Sequence, residues 1–251
     1  MLLADPGSRP DGAALGSALR EATGKARLDA VQALVRAGAE VDAADELGRR
    51  ASWLAAWNGR ADILGVLLSA GAKVDSRTGF GDTPLHAAAR FGGAAIVRAL
   101  LAAGADPDAT NSLGDTPLSC AAEAPSAPAQ VVDLLLDARA HIDHANAHGQ
   151  TALMLATRNV LDKGSPSAFD RLVERGAALD LVDDEGRTAL LHGILISNYD
   201  FARAIRLVDA GADPGVKDHA GRTAADYLAR YSDIDAAHAI RALLGVQQAT
   251  P

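Results

Sequence analysis

Gly81-Asp82-Thr83-Pro84-Leu85-His86-Ala87-Ala88 is the most regular of a set of segments that recur along the chain. Its glycine returns at positions 48 and 114 and then, with drift, at 149, 186 and 221. A second series follows the first: Gly38-Ala39, Gly71-Ala72, Gly104-Ala105, Arg139-Ala140, Gly176-Ala177 and Gly211-Ala212, with steps of 33, 33, 35, 37 and 35 residues. Two markers that drift together define a tandem array. Within the quoted stretch, Thr83 can cap a helix with its hydroxyl, Pro84 stands at the first helical position where its missing N–H costs nothing, and Leu85, Ala88 and Ala89 face inward. A second helix runs through Ile96, Val97, Leu100 and Leu101, spaced for one face, and Gly104 supplies the left-handed residue that ends it. The residues from Ala105 to Gly114 are turn-rich, so strand content should be small.

The period of about 33 residues and the run T-P-L-H-x-A, which Thr83 to Ala88 matches residue for residue, are marks of ankyrin repeats, and the chain resembles that family. The resemblance implies an all-α solenoid of about seven helix-turn-helix units, with β-turn fingers projecting from the stack. Applied along the chain, it gives an ankyrin repeat domain over 11–246. Its units are 11–44, 45–77, 78–110, 111–145, 146–182, 183–217 and 218–246. The flank 1–10 and the tail 247–251 have little to bury and read as disordered. The end units depart from the pattern, as capping repeats do. Asp11 to Ala22 lacks the Thr-Pro start, and Asp226 replaces an apolar or His position. Extra residues in three consecutive units, Glu123–Gln130, Asn159–Ala168 and Ile196–Asp200, all fall between the two helices of their unit. Extra loops on one face are a feature of binding sides, although insertions there cost little and also accumulate by drift.

Composition narrows the function class. A repeat array has no single core, because each unit buries its apolar face only against its neighbours. Hydrophobic residues make up 49% of the 251 residues but aromatic residues only 4%, so the apolar mass is Ala, Leu and Val and each aromatic position becomes informative. The net charge of −8 argues against general affinity for nucleic acid or an anionic membrane surface. The lone Cys120 cannot form an internal disulfide, and the start Met1-Leu2-Leu3-Ala4-Asp5-Pro6-Gly7 lacks the basic and apolar runs of a secretory signal. With no apolar run long enough to span a bilayer, the expectation is a cytoplasmic, monomeric protein that binds neither membrane nor nucleic acid. Abundant Ala and Arg with few Lys fit a high-GC bacterial source.

In the family the finger turns and the inner face of the first helix line a groove. The resemblance therefore marks the positions around the turn glycine and at the end of the first helix as partner-binding. Those positions hold Leu47, Arg49 and Trp57, then Phe80, Arg90 and Phe91, then Leu113, and later Arg158, Arg187, Arg222, Arg230 and Tyr231. Leu47, Trp57, Phe80 and Phe91 come from adjoining units in a chain with only two Trp and four Phe, and aromatic groups on a rigid surface are usual interface anchors. The alternative is that Trp57 or Phe91 tucks against the next helix; the anchor reading predicts instead that truncating both leaves stability nearly unchanged. Trp53 stands at the position of His86 and reads as structural. Arg fills half of the positions after the turn glycine or late in the first helix, against the acids Asp82, Asp115 and Glu123. A groove less acidic than the body, facing an acidic or mixed partner, follows from that count.

The sequence offers no catalytic constellation. It lacks G-x-x-x-x-G-K-[ST], H-E-x-x-H and any Cys pair, and no Ser, His and Asp suggest a nucleophile. His141, His144 and His148 straddle a turn rather than one helix face, so no metal is expected, nor any cofactor. The reading is a non-catalytic module that binds another protein, with an inhibitor or immunity-type protein occluding a cognate enzyme or toxin as the alternative.

Overall fold

The computed structural model describes residues 12–124, 129–159, 167–196 and 201–231. Its contacts divide the chain into two compact units, Met1–Ser112 and Leu113–Pro251. In unit 1 the helices are α1 (Gly12–Gly24), α2 (Leu28–Arg36), α3 (Ala51–Trp57), α4 (Ala61–Ser69), α5 (Pro84–Ala87) and α6 (Ala94–Ala102). Unit 2 holds α7 (Pro117–Glu123), α8 (Ala129–Asp137), α9 (Ala152–Arg158), α10 (Ala168–Glu174), α11 (Ala189–Leu195), α12 (Ala202–Asp209) and α13 (Ala224–Leu228), followed by a 3₁₀ turn at Ala229–Tyr231. The second helix expected in the last repeat, the two chain ends and the middles of the three insertions lie outside the described residues. Among the described residues the only β pairing is one isolated bridge, Ala145 to Thr151, and no helix is long and apolar enough to cross a membrane. The fold is an all-α repeat solenoid.

Within each unit, consecutive repeats bury a thin apolar layer against one another. In unit 1, α3 packs on α1 and α5, and α4 on α2 and α6; in unit 2, α9 packs on α7 and α11, and α11 on α13. Leu85, Ala88, Ala89, Ile96, Val97 and Leu100 are buried, as the helical spacing requires. Small side chains on the first helix of each repeat, such as Ala55, Ala56, Ala121 and Ala122, let neighbouring helices approach, so little core volume per residue suffices. Phe169 and Phe201, which directly follow two of the insertions, are among the largest fully buried side chains. The chain thus re-enters the core immediately beyond each of those loops.

His86 explains the T-P-L-H signature locally. Its Nδ1 accepts the Thr83 backbone N–H at 3.1 Å and lies 2.8 Å from the Thr83 hydroxyl, closing a capping box on α5. Asp226, read from the sequence as a departure, caps its helix in the same way, because its Oδ2 accepts from both the backbone N–H and the hydroxyl of Thr223 at 2.8 Å. Trp53 at this position cannot accept. It is buried, and among the described residues its indole N–H has no hydrogen-bond partner.

The two glycine series adopt positive φ for different reasons. Gly48 (φ +73°) closes a finger that begins at Asp45, and a Cβ there would meet the backbone N of Gly79, in the next finger, at 2.7 Å. Gly104 (φ +87°) ends a helix in open space, with no described atom within 4 Å of a Cβ. That difference accounts for Arg139, which takes φ +68° at the equivalent helix end and is the one break in the second series. A left-handed non-glycine residue costs about 1–2 kcal/mol. Arg139→Gly is therefore expected to raise stability by about 1 kcal/mol in urea titration, and an unchanged or lowered midpoint would show that the Arg139 side chain offsets its backbone strain.

Candidate functional site

Successive fingers join edge to edge through one backbone hydrogen bond each. In unit 1, Gly79 N–H donates to Leu47 O at 2.7 Å and Ser112 N–H to Phe80 O at 2.9 Å. In unit 2, Ala147 N–H donates to Leu113 O at 2.9 Å, Asp184 N–H to His148 O at 3.1 Å and His219 N–H to Glu185 O at 2.9 Å. Below the fingers, aspartates reach across to the following repeat. Asp42 accepts the Lys73 N–H, Asp75 the Asp106 N–H, Asp143 the Ala178 N–H and Asp180 the Asp213 N–H. Each of these bonds ties the backbone of one repeat to an aspartate of the repeat before it.

The apolar candidates lie in unit 1 except for Leu113, which is exposed in unit 2. Leu47 and Phe80 sit on adjoining fingers and are 47% and 66% exposed. Trp57 and Phe91, at the ends of the first helices of the second and third repeats, are 42% and 48% exposed. Their ring centroids are 4.1 Å apart, and Trp57 also stacks on Trp53 at 4.9 Å with 27° between planes. The two rings are therefore half packed and half presented, between the two sequence readings. Arg90 and Phe91 ride on a π turn, Ala88–Gly92, that replaces the α-helical end found at Trp57. The Gly93 N–H reaches back to Ala88 O at 3.1 Å, and Gly93 takes φ +77°. Such turns are frequent at functional sites. Asn58, beside Trp57, donates to Gly24 O and ties its repeat to the preceding one. In unit 2, Asn159 does the same to Ala122 O and Ala124 O.

The arginines divide. Three of them grip an aspartate four residues earlier within their own finger: Arg49 Nε to Asp45 Oδ2 at 2.8 Å, Arg187 Nη2 to Asp183 Oδ2 at 3.1 Å, and Arg222 Nη2 to Asp218 Oδ2 at 2.9 Å. Burial acts to raise the Asp45 and Asp183 carboxyls, but the hydrogen bonds converging on each outweigh it and hold both below the ordinary range. Asp218 is held lower still, first by the Tyr227 hydroxyl and then, against burial, by Arg222. The sequence count of groove arginines omitted these aspartates, and the signal that finds them is the repeated spacing D-x-x-G-R at 45–49, 183–187 and 218–222. Three of the six arginines in that count are thus paired within their own fingers.

The remaining candidates are scattered. Arg230 and Arg222 both lie over the Tyr227 ring, at 5.3 and 4.7 Å from its centroid, at a polar cleft of about 490 Å³ that Arg187 also lines. Tyr231 packs edge-on against the buried Phe201 at 5.3 Å. Arg158, exposed at the end of α9, lines a second cleft of about 340 Å³ with Glu123, Leu155, Asn159 and Ile196. His144 donates its Nε2 hydrogen to Gly114 O at 3.1 Å, a structural use for one of the three clustered histidines.

A family model described as ankyrin repeats (3 copies) matches the chain in four overlapping registers, residues 18–111, 52–146, 85–183 and 124–218. Together these matches span most of the 251 residues. No curated protein matches the chain.

Proposed function

Because the chain belongs to the ankyrin-repeat family, whose members are generally non-catalytic protein-interaction modules, we propose that it binds a partner protein through the apolar side chains that unit 1 presents. The observation that carries this reading is the half-exposed Trp57–Phe91 ring pair, accompanied by Leu47 and Phe80 on adjoining fingers. A protein with so few aromatic residues places three of them in solvent within two consecutive repeats. Rigid aromatic groups lose little conformational freedom on binding and can bury large area, which is why such residues dominate interfaces. The hydrogen-bonded fingers keep Leu47 and Phe80 preformed, so little ordering cost is added on association. Of the arginines, Arg90 accompanies Phe91 on the π turn, and Arg49 pairs with Asp45 within its finger.

Affinity capture with the wild-type chain, Trp57→Ala/Phe91→Ala and Leu47→Ser/Phe80→Ser tests the reading, followed by titration of each captured protein. The first double variant is expected to weaken binding by more than about 2 kcal/mol and, because ring contacts are lost, to cost about 1–2 kcal/mol of stability. The finger variant is expected to weaken binding while leaving the melting temperature unchanged. A partner that binds all three chains with one Kd would move the interface away from these residues.

A further inference from the structure

Each finger carries two successive carbonyls at its tip, and the joints between fingers use only the first. Leu47 O, Phe80 O, Leu113 O, His148 O and Glu185 O each accept an N–H of the following finger. The second carbonyl belongs to the turn glycine, and the peptide after a glycine is the softest part of such a turn, because no Cβ restricts it. Among the described residues, three of these glycine carbonyls are held by a side chain. In unit 1, Arg50 Nη1 donates to Gly48 O at 3.1 Å and to Arg77 O at 2.8 Å, while its Nε donates to Asp42 O at 3.1 Å. Arg77 Nη1 in turn donates to Gly81 O at 3.1 Å and to Thr110 O. In unit 2, His144 Nε2 donates to Gly114 O. Each of these side chains ties a turn glycine to the stem of the next finger.

The held glycines are those that follow Leu47, Phe80 and Leu113, the fingertips with a large exposed apolar side chain. The later tips are His148, Glu185 and Ala220, and among the described residues no side chain reaches the carbonyl of Gly149, Gly186 or Gly221. Internal closure of the finger does not explain this division. Asp45 and Arg49 already close the finger of Leu47, which is held nonetheless, whereas the finger of His148 has Asn146 and Gln150 in their places and its glycine is not held. The holders are also local to these repeats. Later repeats have Thr83, Thr116, Thr151, Thr188 and Thr223 at the position of Arg50, and Thr110, Ala145, Val182 and Lys217 at that of Arg77.

We propose that Arg50 and Arg77 in unit 1, and His144 in unit 2, are positioning residues for protein binding: each fixes the backbone behind one apolar fingertip, so that its side chain meets a partner already in place. The assignment rests on the apolar side chains being the contact. It gives the two guanidiniums no contact of their own, since both are turned back onto carbonyls of the array. A loose fingertip has to be ordered on association, and that ordering subtracts from affinity.

Amide exchange measured by NMR on the full chain tests the clamps without a partner. Arg77→Met, which keeps the aliphatic stem of an exposed side chain, is expected to speed exchange at Ser112 N–H about fivefold, and Arg50→Met to do the same at Gly79 N–H. His219 N–H, in a joint between two fingers whose glycines are not held, is the control. Exchange at Ser112 and Gly79 that keeps the wild-type rate overturns the proposal. Binding is then read as a double-mutant cycle, against the captured protein that Leu47→Ser/Phe80→Ser binds more weakly than wild type does. Arg77→Met is expected to weaken binding about fivefold in the wild-type background and not at all beside Phe80→Ser, because its whole effect passes through that ring. No loss in the wild-type background, or an equal loss in both, overturns the assignment. If Leu47→Ser/Phe80→Ser binds every captured protein as wild type does, the apolar reading fails and takes the assignment with it, while the exchange rates still report whether the clamps hold the fingers.

Discussion

Gly48→Ala is expected to remove about 2–3 kcal/mol of stability, against about 1–2 kcal/mol for Gly104→Ala. Both substitutions place a Cβ on a left-handed backbone, which costs about 1–2 kcal/mol in each case. At Gly104 nothing else follows, because no described atom lies within 4 Å of the new methyl. At Gly48 the methyl would stand 2.7 Å from Gly79 N and 3.0 Å from Thr78 C, both backbone, and neither can swing aside. The next finger must move away and lose the Gly79 N–H to Leu47 O bond, at roughly another 1 kcal/mol. Urea titration of the two single variants checks the contrast. Equal losses would mean that the fingers give way more easily than a 2.7 Å approach implies.

Asp183→Ala should cost about 3–5 kcal/mol, the scale for removing one partner from a buried ion pair. Five donor contacts converge on this carboxylate: the N–H groups of Glu185 and Arg187, Nε and Nη2 of Arg187, and Nε2 of His192. Alanine would leave the buried His192 imidazole without its acceptor and the Arg187 guanidinium with Glu185 alone. Asp184→Ala, one residue on and exposed, removes the same nominal charge and should stay within about 0.5 kcal/mol. Because the Asp183 carboxyl is held below its ordinary pKa, its contribution is present above pH ~4 and is lost as the solution is acidified through its folded value. Thermal melts of both variants at neutral pH and near pH 3 separate the cases. The gap between wild type and Asp183→Ala should narrow in acid, and a gap that stays constant would assign the loss to packing rather than to charge.

The repeat architecture was legible because it is written in backbone requirements. Positive φ demands glycine at a fixed phase, and the capped helix start demands Thr and Pro, so Thr83 to Ala88 and the two glycine series carried the fold without any contact being known. The chemistry between repeats was less legible. Asp183 and Asp218 look like two among many acids until the turn brings an arginine and a His or Tyr onto them. Asp226 looked like a lapse from the pattern although its carboxylate caps a helix as the His86 ring does. The π turn beneath Phe91 left no trace either, since the third repeat has the same spacing between its helix starts as the second. For the candidate site, the period put Trp57 beside Phe91 correctly. Residue type alone could not divide the arginines between those locked to a finger aspartate, such as Arg49, and those lying over a ring, such as Arg230.

Arg139 has a practical consequence for labelling chemistry. The chain owns one thiol, Cys120, and that thiol is buried. The backbone at residue 139 already accommodates a side chain at positive φ, at a helix end whose glycine counterparts stand in open space. Arg139→Cys would therefore give the protein a single reactive handle in its second unit, away from the fingers and the packed helix faces. A fluorophore or cross-linker could be attached there without touching the buried Cys120.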